Sequence, residues 1–313
     1  MIVDLPDTTT SNVSKKLMAL REQGGVIALG RVLTLVVVTK SGLEEEAIEA
    51  ANEASREHPC RIIVLADADA GTEAPDRLDA QIRVGGDAGA SEVIVLRGFG
   101  QLAHESESLV AALLLPDAPI VAWWPDSAPE RASNTSIGRI AHRRITDSAN
   151  EADPAAALEN IRRTYKAGDT DLAWTRLTNW RMQLAAVFDQ MDADPVSAIA
   201  VEGATDSPST ILLATWLQSA LDVPVTIVGH PAGTGIRGVR LTRACGEIRL
   251  FRPGNAVAEL TQPGQPAHRI SLPRRTLQDC LVEELRRLDP DEVFGDALQA
   301  GFNAIKHTID LRR

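Results

Sequence analysis

Along this chain, segments with the apolar pattern of buried strands alternate with segments that have the apolar periodicity of helices. Residues 31–39 and 61–66 are near-continuous apolar runs rich in β-branched side chains, which is typical of strands buried on both faces of a parallel sheet. Between them, residues 43–54 place small apolar side chains on one helical face, and three glutamates from Glu44 onward suit the positive end of a helix. Strand, helix and strand together predict a βαβ unit.

The same alternation continues through the first half of the chain. Apolar runs at 91–97 and 119–124 predict further strands, and helical periodicity occurs near 11–23, 105–115 and 154–166. Strands separated by helices in this way predict a doubly wound, mostly parallel α/β domain.

The second half has a different pattern. Apolar runs at 195–201 and 223–228 flank a helix that begins at Pro208. Residues 239–251 then alternate apolar side chains with Arg or Thr around Gly246, as in an antiparallel hairpin with one solvated face. This predicts a mixed α/β domain that contains an antiparallel hairpin region.

Chain length supports a division into two domains. A chain of 313 residues is long for one core, since cores usually stop growing near ~250 to 300 residues. We expect an N-terminal domain over residues 1–168 and a second domain over 169–313, beginning with a helix over residues 169–191.

Charge and composition limit the classes of partner. A net charge of −11 repels phosphate backbones and anionic lipid surfaces, so neither nucleic acid nor membrane is an expected partner. The sequence lacks a leader-like N-terminus, and no segment approaches the ~20 apolar residues of a membrane span. The three cysteines are scattered, without the spacing of disulfide or metal sites. These features predict a cytoplasmic protein.

The sequence contains no recognisable catalytic constellation. Residues 233–238 fit G-x-G-x-x-G, but the residues that follow read as a strand, whereas a dinucleotide site needs a helix N-terminus there. The six histidines are dispersed, without a partner at metal-ligand spacing. We therefore expect no catalytic residue, no cofactor and no metal.

One candidate binding site lies at the carboxyl end of a predicted strand, where open parallel sheets commonly bind ligands. Trp123, Trp124 and Asp126 occur there. The two tryptophans either contact a partner or pack in the core. Because adjacent strand residues point to opposite faces, one core layer cannot easily hold both indoles.

The second candidate is the stretch near the midpoint of the chain, which contains Asp169, Asp171, Trp174, Arg176 and Arg181. The acidic residues are expected to cap the helix over 169–191. Helical geometry places Trp174 and Arg181 together at the edge of its apolar arc, with Arg176 on the other side. A rim tryptophan beside an arginine is typical of an interface anchor; the alternative is a hinge between two domains. Leu177 and Trp180 are expected in the core.

Several segments resemble one family. They are residues 1–10, 78–84, 119–126 (PIVAWWPD), 168–176 (GDTDLAWTR) and 285–291, and together they are similar to the glucose-6-phosphate dehydrogenase assembly protein family, OpcA. The resemblance covers essentially the whole chain. It implies a non-catalytic partner of glucose-6-phosphate dehydrogenase that promotes an active oligomer and so supports NADPH supply through the oxidative pentose phosphate pathway, with the NADP belonging to the dehydrogenase.

Two functional hypotheses follow. The first is an assembly factor that binds the dehydrogenase through the central stretch and the Trp123–Trp124 end of the sheet. The second is an enzyme or metabolite sensor that binds a sugar phosphate or nucleotide at the carboxyl ends of the N-terminal sheet, since two-domain α/β proteins commonly bind small molecules in a crevice.

Overall fold

The computed structural model of the chain describes residues 1–24, 32–67, 75–85, 92–103, 106–191, 194–301 and 309–310. The strands of a first sheet are β1 (Ile2–Leu5), β2 (Leu33–Lys40), β3 (Cys60–Asp67), β4 (Arg77–Arg83), β5 (Glu92–Phe99), β6 (Ile120–Trp124), β7 (Arg143–Thr146) and β8 (Asp169–Asp171). The strands of a second sheet are β9 (Val196–Ala204), β10 (Val225–His230), β11 (Ile236–Arg243), β12 (Ile248–Phe251), β13 (Val257–Thr261), β14 (His268–Ser271) and β15 (Ile309–Asp310). The helices are α1 (Thr10–Gly24), α2 (Glu44–Glu57), α3 (Ser106–Ala111), α4 (Ser136–Ile140), α5 (Pro154–Thr164), α6 (Leu172–Thr175), α7 (Thr178–Asp189), α8 (Pro208–Leu221), α9 (Leu277–Arg286) and α10 (Glu292–Asp296).

These elements form two compact units that are not consecutive halves of the chain. The first unit comprises Met1–Asp147, Gly168–Thr170 and Leu277–Pro290, and the second comprises Ser148–Ala167, Asp171–Thr276 and Asp291–Arg313. A single boundary after residue 168 therefore does not describe the units. The reason is that α9, expected with the second sheet, packs on α2 of the first unit, where Arg286 lies 3.2 Å from Glu57.

The first sheet is mostly parallel, which confirms the predicted fold class. Its strand order is β1-β4-β5-β3-β2-β6-β7-β8. The pairs β5–β3, β3–β2, β2–β6 and β6–β7 are parallel, whereas β1 and β4 pair antiparallel at one edge. The continuous apolar runs are thus the central strands, because only strands covered on both faces gain from apolar residues at every position.

Helices cover both faces of the first sheet. Val13 and Leu17 of α1 pack with Val36, Ile63 and Ile94 in one core cluster, to which α3 and α4 also contribute. Helix α2 packs on β2 and β3 with its alanine face, and its residues belong to the other core layer. This helix has Leu43 at its N-cap, without a side-chain cap.

The second sheet is mixed, as expected. Its order is β14-β13-β12-β11-β9-β10-β15; β10 is parallel to β9 and β15, and the remaining pairs are antiparallel. Residues of α5, α7 and α8 pack on one face in a single core cluster. Along β11 and β12 buried and half-buried residues alternate, which agrees with the expected hairpin with one solvated face.

Glu202 lies on the face of the second sheet opposite its core, between Arg240 and Arg249, which donate hydrogen bonds to the carboxylate at 3.1 and 3.0 Å. Burial by itself raises the pKa of the Glu202 carboxyl, but the hydrogen bonds from Arg249 and Arg240 outweigh this effect and hold the pKa below its ordinary value. The stabilisation exists while the carboxylate is ionised and is lost as pH falls through the folded pKa.

We therefore expect Glu202→Gln to lower the free energy of unfolding at pH 7 by about 1 kcal/mol, since both arginines are partly exposed. The difference from the parent should shrink as pH falls through the lowered pKa of the Glu202 carboxyl. Urea denaturation between pH 7 and acid pH measures this, with Glu259→Gln on the exposed side of β13 as the control. A difference independent of pH would contradict it.

Candidate functional site

The central stretch is not one helix, so the predicted helix over 169–191 is wrong. The chain forms β8, then the four-residue helix α6, and then α7. Asp171 is extended and caps α6 by accepting a hydrogen bond from the Ala173 N–H at 2.9 Å. The acidic residues thus precede the helix because strand pairing holds them extended, and only Asp171 is its N-cap.

Both carboxylates of the stretch are engaged in structural contacts. Asp169 accepts a hydrogen bond from Arg144 within the first unit. Asp171, fully buried, accepts hydrogen bonds from the N–H and the hydroxyl of Ser148, each at 2.8 Å, within the second unit. Because both carboxylates are buried and hydrogen-bonded within the fold, neither is accessible to a partner protein.

Trp174 is buried, and the expected rim position is wrong. Its side chain is 1% exposed; its indole N–H donates to Asp291 at 2.8 Å, and its ring lies 5.6 Å from that of Phe294. The Arg181 guanidinium stacks on the same indole, 3.8 Å from the ring centroid. The two residues are neighbours, as helical spacing indicated, but residues more than a hundred positions away cover the tryptophan.

Trp123 and Trp124 are also in the core, with exposures of 0% and 4%. Trp124 belongs to the cluster that includes Val13 and Ile94, and Trp123 points to the opposite face. Both indoles can be buried because the sheet has a core layer on each face, and adjacent strand residues point to opposite faces. Neither ring is available to stack on a ligand.

Asp126, partly exposed, lies just beyond this strand. One of its carboxylate oxygens accepts a hydrogen bond from the Thr39 hydroxyl at 2.6 Å. The second oxygen is buried and has no hydrogen-bond partner in the part of the chain that the structure describes.

Helix α7 carries an apolar strip on its exposed side. Met182 is 56% exposed, and Ala185 and Ala186, one helical turn further on, are exposed as well. These positions share one helix face. We call Met182, Ala185 and Ala186 the α7 strip. The sequence pattern did not reveal the α7 strip because α7 has apolar residues on both sides. The larger apolar side chains, which face the core, dominate its periodicity.

The second unit contains a cavity of about 330 Å³. Its position is set by the start of α8, the turn before β11 and the residue after β12. It is lined by Ala149, Pro154, Arg176, Trp180, Asp206, Ser207, Pro208, Ser209, Gly233, Gly235, Ile236, Arg252, Arg274 and Arg275. Of the residues expected at a site, Arg176 alone lies here.

Two family models match this sequence. One describes the N-terminal domain of the glucose-6-phosphate dehydrogenase subunit and matches residues 51–163, and the other describes the C-terminal domain of that protein and matches residues 167–298. The two matches cover more than three quarters of the chain. The chain belongs to the OpcA family. This confirms the resemblance seen in the sequence. No curated protein matches this OpcA family member.

Solved structures are similar to this chain only at a distance. A glucose-6-phosphate 1-dehydrogenase from Mycobacterium avium has a TM-score of 0.47 at 11% identity, covering 89% of this chain and 92% of its own. An inositol dehydrogenase homolog from Azotobacter vinelandii, complexed with NADH and myo-inositol, has a TM-score of 0.46 at 10% identity, covering 88% and 89%. Likeness at this level carries no conclusion about activity.

Two further features concern only the residues that the structure describes. Among them, no helix is long and apolar enough to cross a membrane. The same residues contain no group of three or more His, Cys, Asp or Glu that could hold a metal ion.

Proposed function

We propose that this chain is a non-catalytic assembly factor that binds glucose-6-phosphate dehydrogenase in the cytoplasm and promotes its active oligomer. The observation that carries the proposal is the match of both parts of the chain to family models named for domains of a dehydrogenase subunit. In this role the chain needs no cofactor of its own. The NADP belongs to the dehydrogenase, and the benefit to the cell is NADPH supply through the oxidative pentose phosphate pathway.

An assembly factor can raise activity only by binding the active state of its partner more tightly than the inactive state. The docking surface must therefore be accessible on the folded chain. Trp123, Trp124, Asp169, Asp171 and Trp174 are all at least nine-tenths buried, so we do not propose them as direct contacts.

We propose the α7 strip, together with the neighbouring Arg181, as the docking surface on this chain. Exposed methionine beside small apolar residues suits a protein interface, because methionine adapts its shape and interface centres are depleted of charge. Arg181 is partly exposed and held on the Trp174 ring, so it reaches a partner with little loss of side-chain freedom. Arg176 and Asp126 are partly exposed too, and remain secondary candidates.

The proposal predicts that the purified cognate dehydrogenase becomes more active and larger when this chain is added. Steady-state NADPH formation and analytical ultracentrifugation on the same samples measure the two effects. If neither activity nor oligomer size changes, the assembly function is wrong.

The docking surface has its own test. Met182→Lys should raise at least tenfold the concentration of this chain that is required to activate the dehydrogenase, because a lysine ammonium must be desolvated on docking. Its stability should change by less than about 0.5 kcal/mol, as is usual at exposed positions. Met18→Lys on α1 is the matched control, since Met18 is also 56% exposed. Equal effects of the two substitutions would refute the strip while leaving the assembly function intact.

A further inference from the structure

The cavity in the second unit has an excess of positive charge in a chain whose net charge is −11. Arg176, Arg252, Arg274 and Arg275 line it, and Asp206 is the one carboxylate among its lining residues. A local cluster of one sign inside an oppositely charged protein attracts a ligand of the complementary sign.

Arg252 is the most unusual of these residues. Its side chain lies 5% exposed at the end of β12. One terminal nitrogen donates to the Leu272 carbonyl at 3.0 Å and the other to the Ile236 carbonyl at 3.2 Å, whereas Nε has no hydrogen-bond partner among the described residues. No carboxylate in the described part of the chain forms an ion pair with it.

A buried cation without a counter-charge is costly. Burial lowers the pKa of the Arg252 guanidinium to about 10, and the positive charges of Arg274 and Arg237 contribute in the same direction. By contrast, Arg143 and Arg61 of the first unit are equally buried and each pairs with a glutamate. At Arg252 the described residues supply no compensating anion.

Two backbone features face the same cavity. Ser207, Pro208 and Ser209, at the start of the 14-residue helix α8, line it, and Ser207 makes no side-chain cap. The start of a helix carries partial positive charge. In α8 the first residue, Pro208, has no N–H, and the N–H groups of Thr210 and Ile211 donate to the Ser207 carbonyl, which leaves the N–H of Ser209 as the donor there. The turn before β11 contains Gly233 and Gly235 with φ of +74° and +60°, and the Arg274 guanidinium is held on this turn by a hydrogen bond to the Thr234 carbonyl at 2.6 Å.

We propose that this cavity binds a small phosphate monoester, with its phosphate held by Arg252, Arg274 and the start of α8. A helix N-terminus and arginine side chains are the two groups that proteins most often direct at phosphate. Trp180, whose ring faces the Arg252 guanidinium at 5.1 Å, and Ile236 supply an apolar wall for the rest of the ligand.

The size and the remaining lining residues specify the ligand further. A cavity of about 330 Å³ is near the lower limit of small-molecule pockets, which suits a monosaccharide phosphate better than a dinucleotide. The carboxylate of Asp206 can accept hydrogen bonds from ligand hydroxyl groups. The carboxylate of Asp206 would repel phosphate, so it faces the hydroxyl-bearing end.

Isothermal titration calorimetry on the full chain alone, at physiological ionic strength, tests the proposal independently of the dehydrogenase. The probes are a hexose 6-phosphate, the free hexose and inorganic phosphate. We expect saturable binding of the hexose phosphate, at least tenfold weaker binding of inorganic phosphate, and none of the free hexose. Equal affinity for inorganic phosphate and hexose phosphate would show that the cavity does not select a phosphate monoester. No binding at millimolar ligand would show that the cavity is not a phosphate site.

Substitutions locate the binding. Arg274→Ala removes an exposed side chain at the cavity and should weaken hexose phosphate binding several-fold, and Arg252→Met should weaken it tenfold or more. Arg269→Ala on β14, an exposed arginine outside the cavity, is the control of equal charge and should bind like the parent. If Arg252→Met does not fold, Arg274→Ala decides: affinity equal to that of Arg269→Ala would overturn the proposed site.

Discussion

Replacing Trp174 by alanine is expected to lower the free energy of unfolding by about 3 to 5 kcal/mol, the usual cost of removing a buried aromatic side chain. The indole is 1% exposed and packs on Phe294. The substitution leaves a large cavity and also removes the donor to Asp291, a carboxylate that keeps its bond from the Phe294 N–H at the start of α10. Urea denaturation followed by circular dichroism measures the loss.

Two further variants separate the contribution of the indole N–H from that of the stacked Arg181 guanidinium. Trp174→Phe keeps most of the apolar volume and loses the N–H, so it should cost about 1 to 3 kcal/mol. Arg181→Gln removes the stacked guanidinium and should cost about 1 kcal/mol or less, since one side of this contact is exposed. Stability of Trp174→Ala within about 1 kcal/mol of the parent would mean that the indole is not buried. Helical spacing in the sequence predicted Trp180 in the core and Trp174 at the edge of the apolar arc. Burial makes both tryptophans structural.

Replacing Arg143 by alanine is expected to cost about 3 to 5 kcal/mol as well, because it leaves a buried carboxylate without its partner. Arg143 on β7 and Glu284 on α9 are each 4% exposed at the side chain and are joined at 2.6 Å. Arg143 also donates to the Asp289 carbonyl at 2.7 Å, and Glu284 accepts from the Thr170 hydroxyl at 3.2 Å. This network attaches α9 to the first unit.

The double variant Arg143→Met with Glu284→Leu provides the contrast. Replacing both charges by apolar side chains of similar size removes the desolvation cost, so it should be less damaging than Arg143→Ala alone. Urea denaturation of the single and double variants measures both free energies of unfolding. A double variant less stable than the single variant would indicate that the ion pair itself, beyond filling space, stabilises the fold.

Much of the fold follows from residues whose preferences are local. The β-branched runs became β2, β3, β5 and β6, because such residues suit only strands covered on both faces. Asp153 caps α5 by accepting a hydrogen bond from the Ala156 N–H at 3.0 Å, and α8 begins at Pro208 as predicted. In each case the determining interactions lie within a few residues of sequence.

Strands β1 and β4 were not predicted, for a related reason. β1 has four residues, and the apolar residues of β4 are separated by Asp79 and Gln81, so neither strand has a continuous apolar run. They become strands by pairing antiparallel with each other and with β5. Likewise the expected boundary after residue 168 assigned residues 277–286 to the second domain, whereas α9 packs on α2 of the first unit.

For the candidate site, the sequence by itself determined the family, the two-sheet architecture and the proximity of Trp174 to Arg181, because these depend on local spacing and on residues in fixed order. Only the tertiary structure decided which side chains are exposed. It buried Trp123, Trp124 and Trp174, left Met182 on the surface, and brought Arg252, the start of α8 and Gly235 to one cavity. Exposure and convergence depend on contacts between residues far apart in sequence, such as Trp174 and Asp291, and periodicity along one segment carries no information about them.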